Sequence, residues 1–498
     1  MEWLARITFA GLDILATLLV VAAGLALLAV IALFIIDKSQ TENAIRHNYP
    51  VIGRFRDLFS TLGEFFRQYF FAMDREEMPF NRAERDWVER SSEGKDNTSA
   101  FGSTKNINAV ETMIFVNGPF AVLDDEAEPP PAVVFGPQTA QPYEARSLIN
   151  ISAMSYGSLS KPAIQALSRG AKASGCWLNT GEGGLSQWHL EGGCDIVFQI
   201  GTAKYGVRDD EGRLDDRKLR DLAAKPQVKM LELKLSQGAK PGKGGILPAN
   251  KVTGEIARVR QIKEGEASIS PNRHREISNV EELLDHIDHL RTVSGLPVGI
   301  KAVVGSTQWL EELFAAINAR GKHSAPDFMS IDSGDGGTGA APMPLMDNVG
   351  LPIKESLLMV VDALHRHGLR ARVKVIASGK LITPADVAWA YCAGADVVVS
   401  ARGFMFALGC IQAMKCNRNT CPTGITTHNP NLQAGLDPAD KAQRVANFVG
   451  RLSYGVGLIA HACGVTHARA LERRHCRIVQ ADGRSLGLDE IWPQTGGP

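Results

Sequence analysis

The sequence predicts an α/β protein built on a (β/α)8 TIM barrel and carrying an N-terminal transmembrane helix. Three observations lead there. Beyond residue 145, eight short β-branched apolar runs alternate with helical patterns, which marks parallel βα units. The residues just after those runs are rich in glycine and hydrogen-bonding groups, as they are where a barrel carries its chemistry. Far upstream, Ile14 to Ile36 runs 23 residues without a charge.

Composition sets the outer bounds. In 498 residues, 54 Lys+Arg against 54 Asp+Glu leaves a formal charge of zero, which argues against nucleic acid as a partner. A 44% hydrophobic and 22% charged chain is globular rather than disordered or collagenous. Its 49 glycines exceed the usual ~7% and point to tight turns and close backbone approach to a ligand. No repeat of solenoid or propeller length is evident.

The first element is the apolar stretch. At 1.5 Å per residue its 23 residues reach about 34 Å, enough for a ~30 Å hydrocarbon core. The residues after it, Ile35-Ile36-Asp37-Lys38, offer no small-residue cleavage site of the signal-peptide kind. Before the helix only Arg6 and the amino terminus are positive, whereas Lys38, Arg46, Arg54, Arg56 and Arg67 follow it. The positive-inside rule then puts the bulk of the chain in the cytoplasm, as a single-pass protein of the cytoplasmic membrane.

Residues 1–40 therefore form an anchor and 41–145 a connecting region. From Pro50 to about Arg90 apolar and basic residues interleave, with Phe55, Phe59, Phe65, Phe66, Phe70 and Phe71 supplying much of the apolar face. Such a helix suits a bilayer surface and equally an amphipathic packing on the catalytic domain. Ser91 to Ser103 reads as a polar linker and Pro129-Pro130-Pro131 as a second break.

Residues 146–498 hold the barrel. Its eight runs are Leu148 to Ala153, Cys176 to Thr180, Asp195 to Ile200, Met230 to Leu235, Pro297 to Val303, Phe328 to Asp332, Val373 to Ala377 and Asp396 to Ser400. The third is also compatible with an irregular segment. Six of the eight lead into glycine-bearing turns, including Gly181-Glu182-Gly183-Gly184, Ser333-Gly334-Asp335-Gly336-Gly337-Thr338-Gly339 and Ser378-Gly379-Lys380. The loops after strands seven and eight of a barrel commonly cradle phosphate, so a phosphate-bearing cofactor is expected. The G-x-G-x-x-G of Gly334 to Gly339 is a decoy for a dinucleotide turn. It opens into Ala340-Ala341-Pro342-Met343-Pro344 rather than a helix, with no suitable acidic residue about 20 positions on.

The eight cysteines are spread thinly except for Cys410, Cys416 and Cys421. Three soft ligands at x5 and x4 spacing suit an iron-sulfur cluster. The spacing also leaves zinc, with His428 as the nearby fourth candidate, and buried unligated thiols as readings.

The segment GCIQAMKCNRNTCPTG resembles the cluster-binding stretch of the glutamate synthase large subunit. The likeness extends in order through TGEGG (Thr180 to Gly184), QGAKPGKGGILP (Gln237 to Pro248) and SGDGGTGAAP (Ser333 to Pro342), over residues 145 to 430. It implies FMN at the mouth of a TIM barrel and a [3Fe-4S] cluster on Cys410, Cys416 and Cys421. It also implies an oxidoreductase that reduces a 2-imino acid, formed from 2-oxoglutarate or a related 2-oxo acid and ammonia or an amine, to an amino acid. Residue 2 is Glu2 rather than a nucleophilic cysteine, so the family's glutaminase is not expected, and the stretch after residue 430 is too short for the family's large β-helix domain to be expected. Ammonia must then come from solution or a partner, and electrons from a donor such as ferredoxin or a reductase subunit.

The resemblance also assigns residues. Lys240 and Arg260 correspond to a substrate clamp, with Gln237 beside them, and Glu182 to an active-site glutamate acting as the acid/base group. Lys301, at the end of the fifth run, is placed to offer charge to the flavin ring and counts as both catalytic and cofactor-binding. Met154, Ser155 and Thr180 are expected near the ring. Asp335, Gly336, Gly337, Gly339, Ser378, Gly379, Lys380, Ala401 and Arg402 are expected at the ring or phosphate. One departure bears on substrate: Ile246 stands where the family has a substrate-contacting glutamine, which opens the way to another 2-oxo acid or to an alkylamine, as in N-methylglutamate synthases. Two rival readings are a nucleotide-dehydrogenase type of flavin barrel with Cys421 as nucleophile, and a membrane-bound electron-transfer module without amino-acid synthesis.

Overall fold

The computed structural model describes residues 2–40 and 43–494, with the side chains of Glu2, Leu4, Ala5, Glu64, Phe65, Arg67 and Gln68 outside the description. Phe65 and Arg67 of the aromatic-basic stretch thus fall outside the described side chains. The chain divides into two compact units, residues 1–83 and 84–498.

The first unit is helical. Helix α1 (Glu2–Ser39) is followed by the single turn α2 (Ala44–Asn48), capped by the Asn43 side chain, and by α3 (Ile52–Phe66). A five-residue π-helical turn, Arg67–Phe71, extends α3.

The second unit is a closed barrel of eight parallel strands: β1 (Ile149–Ile151), β2 (Leu178–Asn179), β3 (Ile196–Ile200), β4 (Val228–Lys234), β5 (Val298–Val303), β6 (Phe328–Asp332), β7 (Lys374–Ser378) and β8 (Val397–Ser400). Each pairs with the next, and β8 returns to β1 through Val398↔Ile149. All eight predicted runs are strands of this barrel. The third is a regular strand, buried along its whole length, with one register shift against β4 at Ile196/Val197.

Local chemistry sets the helix limits. After β1, α4 (Lys161–Ser174) starts at Ser160, whose hydroxyl accepts from the Ala163 N–H, and stops at Gly175 in a left-handed conformation. After β4, α5 (Val280–Ser294) is capped by Asn279 and closed by Gly295 in the same way. A helix at Arg82–Ser92 takes in the first residues of the predicted linker. Asn447 Nδ2 donates to the Ser92 carbonyl and Arg444 Nε to its hydroxyl, so Ser91 and Ser92 are buried rather than part of a loop.

The N-terminal end of the barrel is closed by a two-stranded ribbon, Val133–Phe135 with Tyr143–Ala145. Phe135 is fully buried there, edge-on to Trp177 at 5.9 Å and to Phe328 at 5.5 Å. With the bottom plugged by aromatics, the opposite, C-terminal strand ends are left for chemistry.

Candidate active site

Side chains alternate along a strand, so Met230, Glu232 and Lys234 of β4 share its inward face. Glu232 is buried, accepting from Asn179 Nδ2 at 2.9 Å, Gln199 Nε2 at 2.7 Å and Ser330 Oγ at 2.5 Å. At the next inward position, Lys234 Nζ lies 3.0 Å from Glu182 Oε2 and donates to Gln237 Oε1 at 2.8 Å.

Glu182 rides on the one-turn helix Gly181–Gly183 that ends β2. Its carboxylate is gripped by glycines: a Cβ added at Gly245 would overlap a carboxylate oxygen, and one at Gly201 would lie 2.6 Å from Glu182 Cβ. Burial alone would raise its pKa, but Lys234, Lys240 and Arg260 outweigh it and hold the carboxyl at about 2. Glu182 is therefore a permanent carboxylate in the resting site, an acceptor rather than a proton donor.

Lys240 is buried, and no hydrogen bond or ion pair to its ammonium is found among the described residues. Burial lowers its pKa to about 8 while Glu182 pulls upward and Lys234 pushes further down. Arg260 ends a short helix, Gly254–Arg260, that Thr253 caps. It is buried, and its guanidinium donates weakly to the Tyr156 carbonyl at 3.2 Å and to Ser155 Oγ and Ser268 Oγ at 3.4 Å. Its Nε, also buried, has no partner. A buried ammonium without a pair and a guanidinium with an orphaned N–H are groups waiting for an anion.

The second half of the mouth is built by the last three strands. Lys380 Nζ pairs with Asp335 Oδ2 at 2.7 Å, and Ser333 Oγ donates to Asp335 Oδ1. Arg402 reaches the Asp335 carbonyl at 3.4 Å. Glycine is required at 379, where a Cβ would overlap that of Ser333, while at Gly337 a Cβ would lie 2.8 Å from Arg402 Nε and displace that side chain. Bare backbone beside Lys380 and Arg402 fits a phosphate. Gln237 ties the halves together, accepting from Lys234 and donating to the Gly337 carbonyl at 3.1 Å.

Other predicted residues take different places. Lys301 Nζ faces Asp332 Oδ2 at 3.5 Å. Asp332 also accepts from the Gly238 N–H and Ser378 Oγ, so Lys301 and Ser378 brace one buried carboxylate. The Thr180 hydroxyl is spent locally, donating to the Gly181 carbonyl and accepting from the Gln199 N–H. Met154 and Ser155 abut Gly181, and Gly336 packs against Gly238, whereas Gly339 stands in open space. Ala401 heads the short helix Arg402–Ala407.

Ile246 points away from the site. It pairs with Ile269 in a two-stranded ribbon whose other pair is Leu247↔Ser268, and paired residues share a face. Ser268 accepts from Arg260 and Leu247 packs beside Gly157, so that face looks inward. Ile269 is 65% exposed, so Ile246 lies on the outward face.

Lys234 and Asp332 were missed by the sequence reading. Charged residues at alternate positions in the apolar run of β4 were the available signal.

Cys410, Cys416 and Cys421 sit on one loop in which Gln412, Met414 and Asn419 all adopt positive φ. Burial pushes the Cys410 thiol up to about 12 and raises that of Cys416. The Cys421 thiol is lowered because hydrogen bonds from Thr423 and Thr426 exceed the opposing effect of burial. Lys251 Nζ pins the loop through the Cys416 carbonyl at 3.2 Å and the Ser158 carbonyl at 2.9 Å. Among the described residues no three His, Cys, Asp or Glu side chains gather closely enough to hold a metal. Three soft thiol donors on one loop, close enough to influence one another's ionisation, suit a cluster rather than a single ion. His428 Nε2 is engaged by the Gly157 carbonyl at 2.7 Å.

Fold and site define an α/β-barrel protein with a cationic, anion-seeking mouth at its C-terminal strand ends. The chain belongs to the glutamate synthase family: residues 101–466 match the conserved region in glutamate synthase. It is 39% identical over 502 residues to the glutamate synthase large subunit-like protein YerD of Bacillus subtilis, covering 92% of this chain and 94% of that one. It is 33% identical over 353 residues to the archaeal glutamate synthase [NADPH] of Methanocaldococcus jannaschii, covering 69% of this chain and 63% of that protein. The recombinant flavin-binding domain of baker's yeast flavocytochrome b2 overlaps 83% of this chain and 84% of its own at 14% identity and a TM-score of 0.46.

Proposed function

We propose that the protein is an oxidoreductase of glutamate synthase type that reduces the 2-imino acid formed from 2-oxoglutarate, or a related 2-oxo acid, and ammonia or an amine. The observation that carries this reading is the set of buried cations around Glu182. Lys240 and Arg260 offer charge-assisted hydrogen bonds to the two carboxylates of a 2-oxo diacid, and membership of the family supports the substrate class. Glu182, as a carboxylate, accepts a hydrogen bond from the incoming amine and stabilises positive charge on the imine nitrogen. Lys240, with a pKa of about 8, is suited to give a proton to the oxygen that leaves as water.

FMN fits the second half of the mouth. Lys380, Arg402 and the backbone at Gly337 and Gly379 would hold its phosphate, and Met154, Ser155 and Lys301 would lie toward the ring. When bound, the flavin supplies the hydride that reduces the imine carbon. For the three-thiol loop the proposal is a [3Fe-4S] cluster, supported by the donor set and the family; electrons then arrive from a separate donor protein. Helix α1 is proposed as a single transmembrane anchor with the catalytic unit on the cytoplasmic side. Its apolar span, Arg6–Ser39, is long enough to cross a bilayer.

The test is synthesis by the full-length protein, purified anaerobically, loaded with FMN and reduced chemically. With 2-oxoglutarate and 15N-ammonium it should form 15N-labelled L-glutamate. Bound flavin without any amino acid product, across a panel of 2-oxo acids and amines, would refute the reading. Iron and acid-labile sulfide in the parent, lost in Cys410→Ser, Cys416→Ser and Cys421→Ser, would support the cluster, and a parent free of iron would remove it.

A further inference from the structure

We infer that α3 and the π-helical turn after it form a second membrane element, lying in the bilayer interface with their aromatic stripe in the lipid. The inference rests on the proposal that α1 crosses the membrane, and adds to it a surface and an occupant.

The stripe is built by helical spacing. At 3.6 residues per turn Ile52, Phe55, Leu58, Phe59, Leu62 and Phe66 fall on one side of α3, whereas Arg56, Asp57, Ser60 and Thr61 fall on the other. Among the described residues most of the stripe is open to solvent: Ile52 is 71% and Phe59 66% exposed. It continues into Phe70 and Phe71, exposed by 74% and 75%. So many exposed aromatics at helical period mark an interaction surface.

The position of α3 says what covers it. Asp37, fully buried at the end of the apolar helix, accepts from the Val51 N–H at 2.9 Å and pairs with Arg54, Nη2 to Oδ1 at 2.6 Å and Nε to Oδ2 at 2.9 Å. The connection between the helices is stitched as well. Gln40 Nε2 donates to the carbonyls of Asp37 and Asn43, and Lys38 Nζ reaches the His47 carbonyl. The first turn of α3 is thereby clamped to the last turn of α1. If α1 spans the bilayer, its end at Asp37 and Lys38 lies at headgroup depth, and α3 begins there. A helix held at that depth with an aromatic face and a polar face meets lipid before any other partner. The ion pair also removes the charges of Asp37 and Arg54 from the region where a lone charge would be costly.

Lipid photo-crosslinking of the full-length protein tests this. The protein is reconstituted into vesicles of phosphatidylcholine and phosphatidylglycerol doped with a lipid carrying a diazirine high on its acyl chain. Adducts are then mapped by mass spectrometry. The expected result is labelling of Ile52, Phe55, Phe59 and Phe66 along with α1, with Ser60 and Thr61 unlabelled. In Phe55→Ser/Phe59→Ser the adducts on α3 should be lost while those on α1 stay. Labelling of α1 with none on α3 overturns this inference and leaves the anchor intact. Absence of label from both overturns the anchor and this inference together.

Discussion

Dicarboxylate binding should be lost on the alkaline side through one residue, Lys240. Burial brings its ammonium from an ordinary 10.5 down to about 8, against the upward pull of Glu182. That fall corresponds to about 3 kcal/mol disfavouring the charged form in the folded protein. Below about pH 8 the folded protein carries the charged lysine at that cost. The unfolded chain keeps its proton to about 10.5, so as pH rises between the two values the cost is relieved. Stability from this residue therefore rises in the window where recognition of a dianion falls. Isothermal titration calorimetry of 2-oxoglutarate into the full-length protein, from about pH 7 to about pH 10, should show Kd rising about tenfold per pH above about 8. Lys240→Arg should abolish the slope, because a guanidinium stays charged throughout. Lys240→Met should bind weakly at every pH and resist urea better at neutral pH by up to about 3 kcal/mol, since it removes the buried charge. A Kd for the parent that stays flat to about pH 10 would refute the assignment of Lys240.

Other consequences follow from the same geometry. The Glu182 carboxyl is held at about 2 against an ordinary 4.5, so its contribution is complete above about 4.5 and is lost as pH falls toward about 2. Urea unfolding should show the parent losing up to about 3 kcal/mol across that window and Glu182→Gln losing much less. Gly379→Ala puts a methyl where Ser333 stands, so flavin content after purification should drop severalfold while the barrel keeps its far-ultraviolet circular dichroism. Ile246→Gln should leave the Kd for 2-oxoglutarate within about twofold, because a residue on the outward face has no part in the pocket; a tenfold change would place it inside.

The barrel was legible because most of its strands are short apolar runs, buried and bounded by turn residues. Phe328 to Asp332 is a strand from end to end, as read. The glycine turns were legible for a related reason: at Gly379 the chain approaches Ser333 too closely for a side chain. Lys234 was legible only as a charge two positions after Glu232, and its partner Glu182 is brought in only when β2 and β4 curl toward one another. Ile246 was misjudged for a similar reason. Whether 246 or 247 faces inward depends on the register of the ribbon with Ser268–Ile269, and a one-residue slip reverses every side chain. The ribbon at 133–145 has strands of three residues each, too short for a period to show.

The division of labour among the charged groups follows from which of them can change protonation. Glu182 has three cations about it and cannot take a proton near neutrality, so its part is to hold positive charge in place. Arg260 stays charged at any working pH, which makes it a clamp and nothing more. Lys240 alone among the three sits close enough to neutrality to both bind an anion and release a proton. Its value depends on Glu182, whose charge raises it, and on burial, which lowers it. In the proposed mechanism Glu182, ionised throughout the neutral range, therefore tunes acid catalysis by fixing how readily the neighbouring lysine gives up its proton. Binding a dianion would raise that lysine further and keep it protonated while the substrate is in place. The proton is then available when the carbonyl oxygen of a 2-oxo acid must leave, whereas in the empty site the lysine loses it more readily.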